Sequence, residues 1–244
     1  MGENFDYIAQ NLSTIRQKMD RTAFFREGKY RSSGIPALVA VTKGIDAQRI
    51  NYAIERGICM IGENRADELM EKYDKIQRDK VKIHFIGNLQ TNKVKQIIDK
   101  VDQIESVNSV RLAEEIDRRA AQCGIKMEIL AELNIGSEDS KTGIDPDDAL
   151  KFVCQLKSFE NLKLKGLMTL APPLEKLNKT HPGKEKAQIL KLFEKMYEIF
   201  VDISSKKVDN IDMEILSMGM SEDFEEAISR GANVVRLGRA IFQR

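Results

Sequence analysis

The stretch "ALVAVTKGIDAQRINYAIERG", Ala37 to Gly57, holds one complete structural repeat. Its first part, Ala37 to Thr42, is an unbroken run of small and β-branched residues, the composition of a strand buried on both faces. Ile45, Ala47, Ile50, Ala53 and Ile54 then recur at helical spacing, and Gly57 stands where a helix is commonly capped. Between the two parts lies Lys43, a long cation at the mouth of a buried strand.

The same alternation continues along the chain. "ICMIG" and "ENRADELMEKYDKIQ" follow, then "KIHFIG" with "TNKVKQIID", and "QIESV" with "NSVRLAEEIDRRAAQCG". That last helix is expected to open on an Asn or Ser cap and to close at Gly124. "KMEILAELNI" leads to "DPDDALKFVCQLK", with Asp145 as N-cap and Pro146 in the first helical position. "LKLKGLMTL" precedes the long helix "KEKAQILKLFEKMYEIFVDIS", and "DMEILSMG", "SEDFEEAISRG" and "NVVRLG" complete the series. Eight strands with a helix after each of the first seven predict a closed (β/α)8 TIM barrel. An open doubly wound sheet is the rival, but the first turn, "TKGID", lacks a G-x-G-x-x-G. Ile8, Leu12, Ile15 and Met19 form an apolar stripe before the first strand, so an extra N-terminal helix within residues 1–30 is expected to stand in for the missing eighth. The expected organisation is a single domain over residues 1–244. Residues 171–186, "APPLEKLNKTHPGKEK", hold three of the five prolines and read as a partial lid or, the simpler expectation, a mobile surface loop.

Composition narrows the partners. Lys and Arg total 39 against 38 acidic residues, which gives no global field toward nucleic acid or a membrane. Three scattered cysteines and two remote histidines support neither a disulfide framework nor a metal site. The N-terminus reads as polar rather than as a signal segment, and no run has membrane-spanning length, so a cytoplasmic protein is expected.

In such a barrel the chemistry lies at the C-terminal ends of the strands. Those ends give Lys43, Asn64, Met168, the run Ser217-Met218-Gly219-Met220-Ser221, and Arg236-Leu237-Gly238-Arg239. Lys43 shares strand parity with Val39 and Val41. Glycines and hydroxyls gather after strands seven and eight, where barrels often hold phosphate, and Ser221 is placed to cap the helix that follows. Three roles stand open for Lys43: a solvent-facing lysine, a point charge for phosphate, or an amine that forms a Schiff base. An amine opposite a phosphate corner fits a phosphorylated sugar or pyridoxal 5'-phosphate (PLP).

"ALVAVTKG", "IGENRADEL", "IHFIGNLQTNK", "LNIGSEDSKTGI", "GLMTLAP", "ILSMGMSEDFEEAI" and "ANVVRLGRAIF" succeed one another as in the pyridoxal-phosphate homeostasis protein family, which this chain resembles from about Pro36 to Phe242. The resemblance implies a barrel like the N-terminal domain of alanine racemase, with PLP as cofactor held as an internal aldimine on Lys43. It implies phosphate contacts from Ser217, Met220, Ser221, Gly238 and Arg239, with Arg236 beside the pyridine nitrogen. Asn64, Met168 and Gly219 join these as strand-end positions expected at the cofactor. Arginine cannot accept a proton, so the ring would be a weak electron sink. A racemase also uses a second domain and a partner's tyrosine, whereas this sequence ends at Arg244. The resemblance therefore implies a monomeric PLP carrier, buffer or regulator, with PLP-dependent client enzymes as candidate partners. A reduced racemase-like enzyme and a Schiff-base phosphosugar aldolase are the alternatives.

Overall fold

The computed structural model describes residues 4–24, 28–30, 34–136, 142–180, 182–206 and 211–244. The chain opens with α1 (Asp6–Phe24) and a short 3-10 turn, Gly28–Tyr30. It continues as β1 (Ala37–Val41), α2 (Ala47–Glu55), β2 (Met60–Glu63), α3 (Ala66–Lys72), β3 (Lys82–Phe85), α4 (Val94–Ile97), β4 (Gln103–Val107) and α5 (Val110–Cys123). Next come β5 (Met127–Leu133), α6 (Ala149–Leu156), β6 (Leu162–Thr169), α7 (Leu174–Thr180), α8 (Glu185–Ser205), β7 (Ile211–Ser217), α9 (Phe224–Ser229), β8 (Val234–Leu237) and α10 (Arg239–Phe242). The strands close into a barrel in the order β1 to β8. Every pairing is parallel, and β8 returns to β1 with Val39 opposite Arg236. No described helix is long and apolar enough to cross a membrane.

Local chemistry sets the element ends. The Asp46 carboxylate accepts the Arg49 N–H at 3.0 Å and starts α2. The Ser109 hydroxyl accepts the Leu112 N–H at the head of α5, which stops at Gly124 in left-handed conformation, φ 67°. Asp145 caps the short 3-10 turn Pro146–Asp148 that leads into α6. Gly166 is needed for another reason: a Cβ there would lie 1.8 Å from the Ile215 carbonyl oxygen on β7.

The wall has two faces. Ala40, Ile61, Ile83, Ile104, Ile129, Leu167, Leu216 and Val235 point outward and are buried in one continuous apolar layer with the helices. Burying a side chain of this size stabilises the fold by roughly 1.5–3 kcal/mol. Ile8, Leu12, Ile15 and Met19 of α1 join that layer, and α1 packs against α9 and α10 to close the helical ring. The Pro-rich segment departs from expectation, because Leu174–Thr180 is a helix that buries Leu177. Pro172 and Pro173 lie ahead of its first residue, so they set its start rather than prevent it.

Candidate functional site

Lys43 sits in a turn directly beyond β1. Gly44 adopts φ 68° there, and its N–H donates to the Glu68 carboxylate on α3. On the other side of Lys43, the Lys72 ammonium donates to the Thr42 carbonyl at 2.7 Å. Lys72 also pairs with Glu63 at 2.7 Å and with Glu68 at 3.0 Å, while the Thr42 hydroxyl donates to Glu63. Burial pushes the Glu63 carboxyl up, and Lys72 only partly offsets it. The peptide groups flanking Lys43 are therefore pinned from behind. Lys43 itself is exposed and makes no hydrogen bond or ion pair with another described residue.

Beside it, across the β1–β8 pairing, stands the corner after β7 and β8. Gly219 has φ 98°, and a Cβ on it would meet the Ala227 Cβ at 2.6 Å, so glycine lets the loop press onto α9. The Gly219 carbonyl accepts the Arg236 N–H at 3.0 Å, which ties this loop to β8. Ser221 is not the helix cap expected from sequence. α9 begins at Phe224 with Asp223 in the cap position, and the Asp223 carboxylate instead accepts the Met220 N–H at 2.5 Å. The Ser221 oxygen accepts the Ala240 N–H at 3.2 Å, which leaves its hydroxyl proton uncommitted. The Arg239 side chain turns outward to Glu222 at 2.6 Å. Burial raises the Asp223 carboxyl to about 6, against the opposing pull of the Met220 N–H and Arg236.

Below the rim, the barrel axis is polar. Arg236 is buried, with one guanidinium nitrogen donating to the Ser217 hydroxyl and the other to the Thr169 carbonyl at 2.7 Å. The Ser217 hydroxyl in turn donates to Glu105 at 2.7 Å, and the other Glu105 oxygen meets His84 Nδ1 at 2.7 Å. Glu132 is held from the side by the Thr142 hydroxyl at 2.8 Å and by Asn108 at 3.3 Å.

Lys43, Met220, Ser221, Arg236, Gly238 and Arg239 line one cavity of about 200 Å³, with Pro173 and Leu174 at its edge. Wider grooves exist: one of about 420 Å³ lies among helix-layer residues between Thr91 and Arg118, and one of about 760 Å³ borders the loop after Lys43, from Gly44 to Arg49, and α3. Asn64 lines a separate cavity with Asn88 and Lys93. Met168 and Ser217 are fully buried and do not line the Lys43 cavity. Sequence reading passed over His84, Glu105, Glu132 and Asp223. The signal for the first three was a polar residue on the inward parity of strands that otherwise read as buried throughout.

The sequence matches the alanine racemase N-terminal domain family over residues 4–243. A pyridoxal phosphate homeostasis protein of Aquifex aeolicus is 33% identical over 96% of each chain. The chain belongs to the pyridoxal phosphate homeostasis protein family. Solved structures agree with that placement. A crystal structure described as an unknown protein from Bifidobacterium adolescentis superposes with a TM-score of 0.88 at 30% identity, over 99% of this chain and 98% of that one. PipY of Synechococcus elongatus, solved with PLP bound, gives 0.79 at 27% identity, over 96% of this chain and 99% of PipY. Family membership thus rests on the whole barrel and not on one motif.

Proposed function

We propose that this protein binds pyridoxal 5'-phosphate and serves its homeostasis, as a carrier, buffer or regulator rather than as an enzyme. The observation that carries the reading is convergence. An uncommitted amine, Lys43, a buried guanidinium, Arg236, and a free hydroxyl proton, Ser221, border one cavity at the C-terminal mouth of the barrel. The donor set fits the cofactor. Lys43 is the amine for the aldehyde, and Arg236 is a donor for the pyridine nitrogen. Ser221 with the chain at Met220, Gly238 and Arg239 faces the phosphate. Ser217 bonds to Arg236 and Gly219 ties the loop to β8, while Asn64 and Met168 lie outside this cavity.

When bound, PLP supplies an aldehyde for amines and a ring able to draw electrons from an amino acid's α-carbon. Arg236 has only donors, so it holds a ring nitrogen without its proton and weakens that electron sink. This favours holding the cofactor over turning over amino acids with it. The reading includes a monomer acting in the cytoplasm, with PLP-dependent client enzymes as candidate partners.

Borohydride reduction of the protein with PLP, followed by peptide mapping, tests the assignment. The pyridoxyl label is expected on Lys43, and the visible absorbance is expected to vanish in Lys43→Ala. A label on another lysine with Lys43 unmodified overturns it. Incubation with L-alanine in deuterated water tests the rest. No α-deuterium exchange at catalytic protein levels is expected, and rapid exchange would establish an enzyme of the racemase kind.

A further inference from the structure

We propose that Glu105 is a positioning residue for Arg236, acting through the Ser217 hydroxyl, with His84 steadying the carboxylate from its far side. This rests on the reading of Arg236 as the donor to the cofactor ring, and it gives Ser217 a role at the ring end of the site instead of the phosphate end.

The direction of each hydrogen bond follows from what the groups are able to do. A guanidinium only donates. The Ser217 oxygen, 2.5 Å from Arg236, is therefore the acceptor in that contact, and the hydroxyl proton has to go elsewhere. It goes to Glu105 Oε2 at 2.7 Å. Glu105 accepts there as an ionised carboxylate, and its second oxygen is taken by His84 Nδ1 at 2.7 Å. The other Arg236 nitrogen is fixed by the Thr169 carbonyl, a main-chain group at the end of β6 that cannot swing away. Side chain, hydroxyl, carboxylate and imidazole thus form one chain from the cavity floor across the barrel axis.

The arrangement differs from a simple ion pair. Arg236 and Glu105 are 3.8 Å apart at their closest charged atoms. A direct two-pronged pair would turn the guanidinium fork toward the carboxylate. Routing the contact through Ser217 neutralises the charge while committing only two bonds, so further N–H donors are left for the cavity that Arg236 lines.

Three carboxyls face Arg236, and they are not equivalent. Burial raises Glu132 and Asp223. Burial would raise Glu105 too, but the His84 hydrogen bond and the charges of His84 and Arg236 outweigh it and hold the carboxyl below its ordinary value. Glu105 is the standing counter-charge of the group.

The test compares wild type with Glu105→Gln, Ser217→Ala and Ser217→Thr, using PLP and phosphate-free pyridoxal as probes. Loss of a hydrogen bond to a charged group is expected to weaken binding about tenfold. Glu105→Gln and Ser217→Ala are expected to lose about the same factor for both probes, and Ser217→Thr, which keeps the hydroxyl, is expected to recover it. Side-chain NMR of the ligand-free protein reads the same claim without cofactor. The Arg236 guanidinium signals should be slow to exchange in wild type and in Ser217→Thr, and should broaden in the other two. Loss of PLP binding alone in Ser217→Ala, with pyridoxal untouched, would make Ser217 a phosphate ligand and overturn the proposal. Arg236 signals that stay unchanged in Ser217→Ala and Glu105→Gln would also overturn it. If Glu105→Gln does not fold, the two Ser217 variants decide the matter. Wild type that binds neither probe sinks the cofactor reading, while the NMR comparison still decides whether Glu105 positions Arg236.

Discussion

Ile104 and Glu105 stand next to each other on β4 and are both fully buried, yet one faces the helix layer and the other the barrel axis. The outward set is aliphatic and gains stability from every contact removed from water. The inward set at the upper end of the barrel holds His84, Glu105, Glu132, Ser217 and Arg236, where barrels usually stack branched apolar side chains. Charges buried this way add little net stability over an apolar filling, and losing one partner is expensive. The wall therefore stabilises on one side and specifies a site on the other.

Glu105→Ala is the largest break in that division. It strands Arg236 without its counter-charge and is expected to cost about 3–5 kcal/mol. Urea unfolding measures the loss, and PLP affinity should fall with it. Ile104→Ala on the opposite face removes only packing, at about 3 kcal/mol of stability. Its folded fraction should bind PLP as wild type does. Parallel losses of affinity in both variants would show that the two faces are not separable.

The outer face was legible in sequence and the inner one only in part. Helical spacing, caps at Ser109 and Asp145, and eight buried runs predict the barrel because each signal is local. The place of Lys43 beyond β1 was also legible, as a cation at the end of a run where turn residues are usual. The Ser217–Glu105 bond joins residues 112 positions apart, and only closure of the barrel brings them together. Sequence reading placed Ser217 at the end of the seventh strand but did not reveal what waited there. The corner after β7 was misread for a local reason. In "SMGMSED" both Ser221 and Asp223 are able to cap a helix, and burial of Asp223 under the loop shifts the start two residues on.

That buried aspartate gives a smaller effect with a definite sign. Asp223 titrates near 6 when folded, against an ordinary value of 3.8. Below about pH 3 it is protonated in both folded and unfolded chains and costs nothing. As pH rises toward 6 the unfolded chain ionises first, so the folded state loses stability, on the order of 2–3 kcal/mol by pH 7. Asp223→Asn keeps an oxygen for the Met220 N–H and removes the charge. It is expected to be more stable than wild type at pH 7 by that order and equal to it at pH 3. Unfolding curves at both pH values check this, and a variant less stable at pH 7 would show that the charge on Asp223 supports Arg236 more than its burial costs.

The smallest effect on folding is expected at Lys43, where the proposed effect on binding is largest. Lys43 is exposed, and no described residue bonds to it. The turn around it is held by Thr42 and Gly44 through Lys72 and Glu68, groups that Lys43→Ala leaves in place. Changes at such surface positions usually stay within about 0.5 kcal/mol. Ligand-free Lys43→Ala should therefore melt with wild type. The two should separate once PLP is added, because a ligand that binds only the folded state stabilises it by RT ln(1 + [L]/Kd), about 2.7 kcal/mol at a hundredfold excess over Kd. Wild type should gain that shift, and Lys43→Ala should keep only what Arg236 and the phosphate corner provide. A clear drop in melting temperature without ligand would mean that the Lys43 side chain helps to hold its own turn, and that the rim, like the axis beneath it, couples binding to folding.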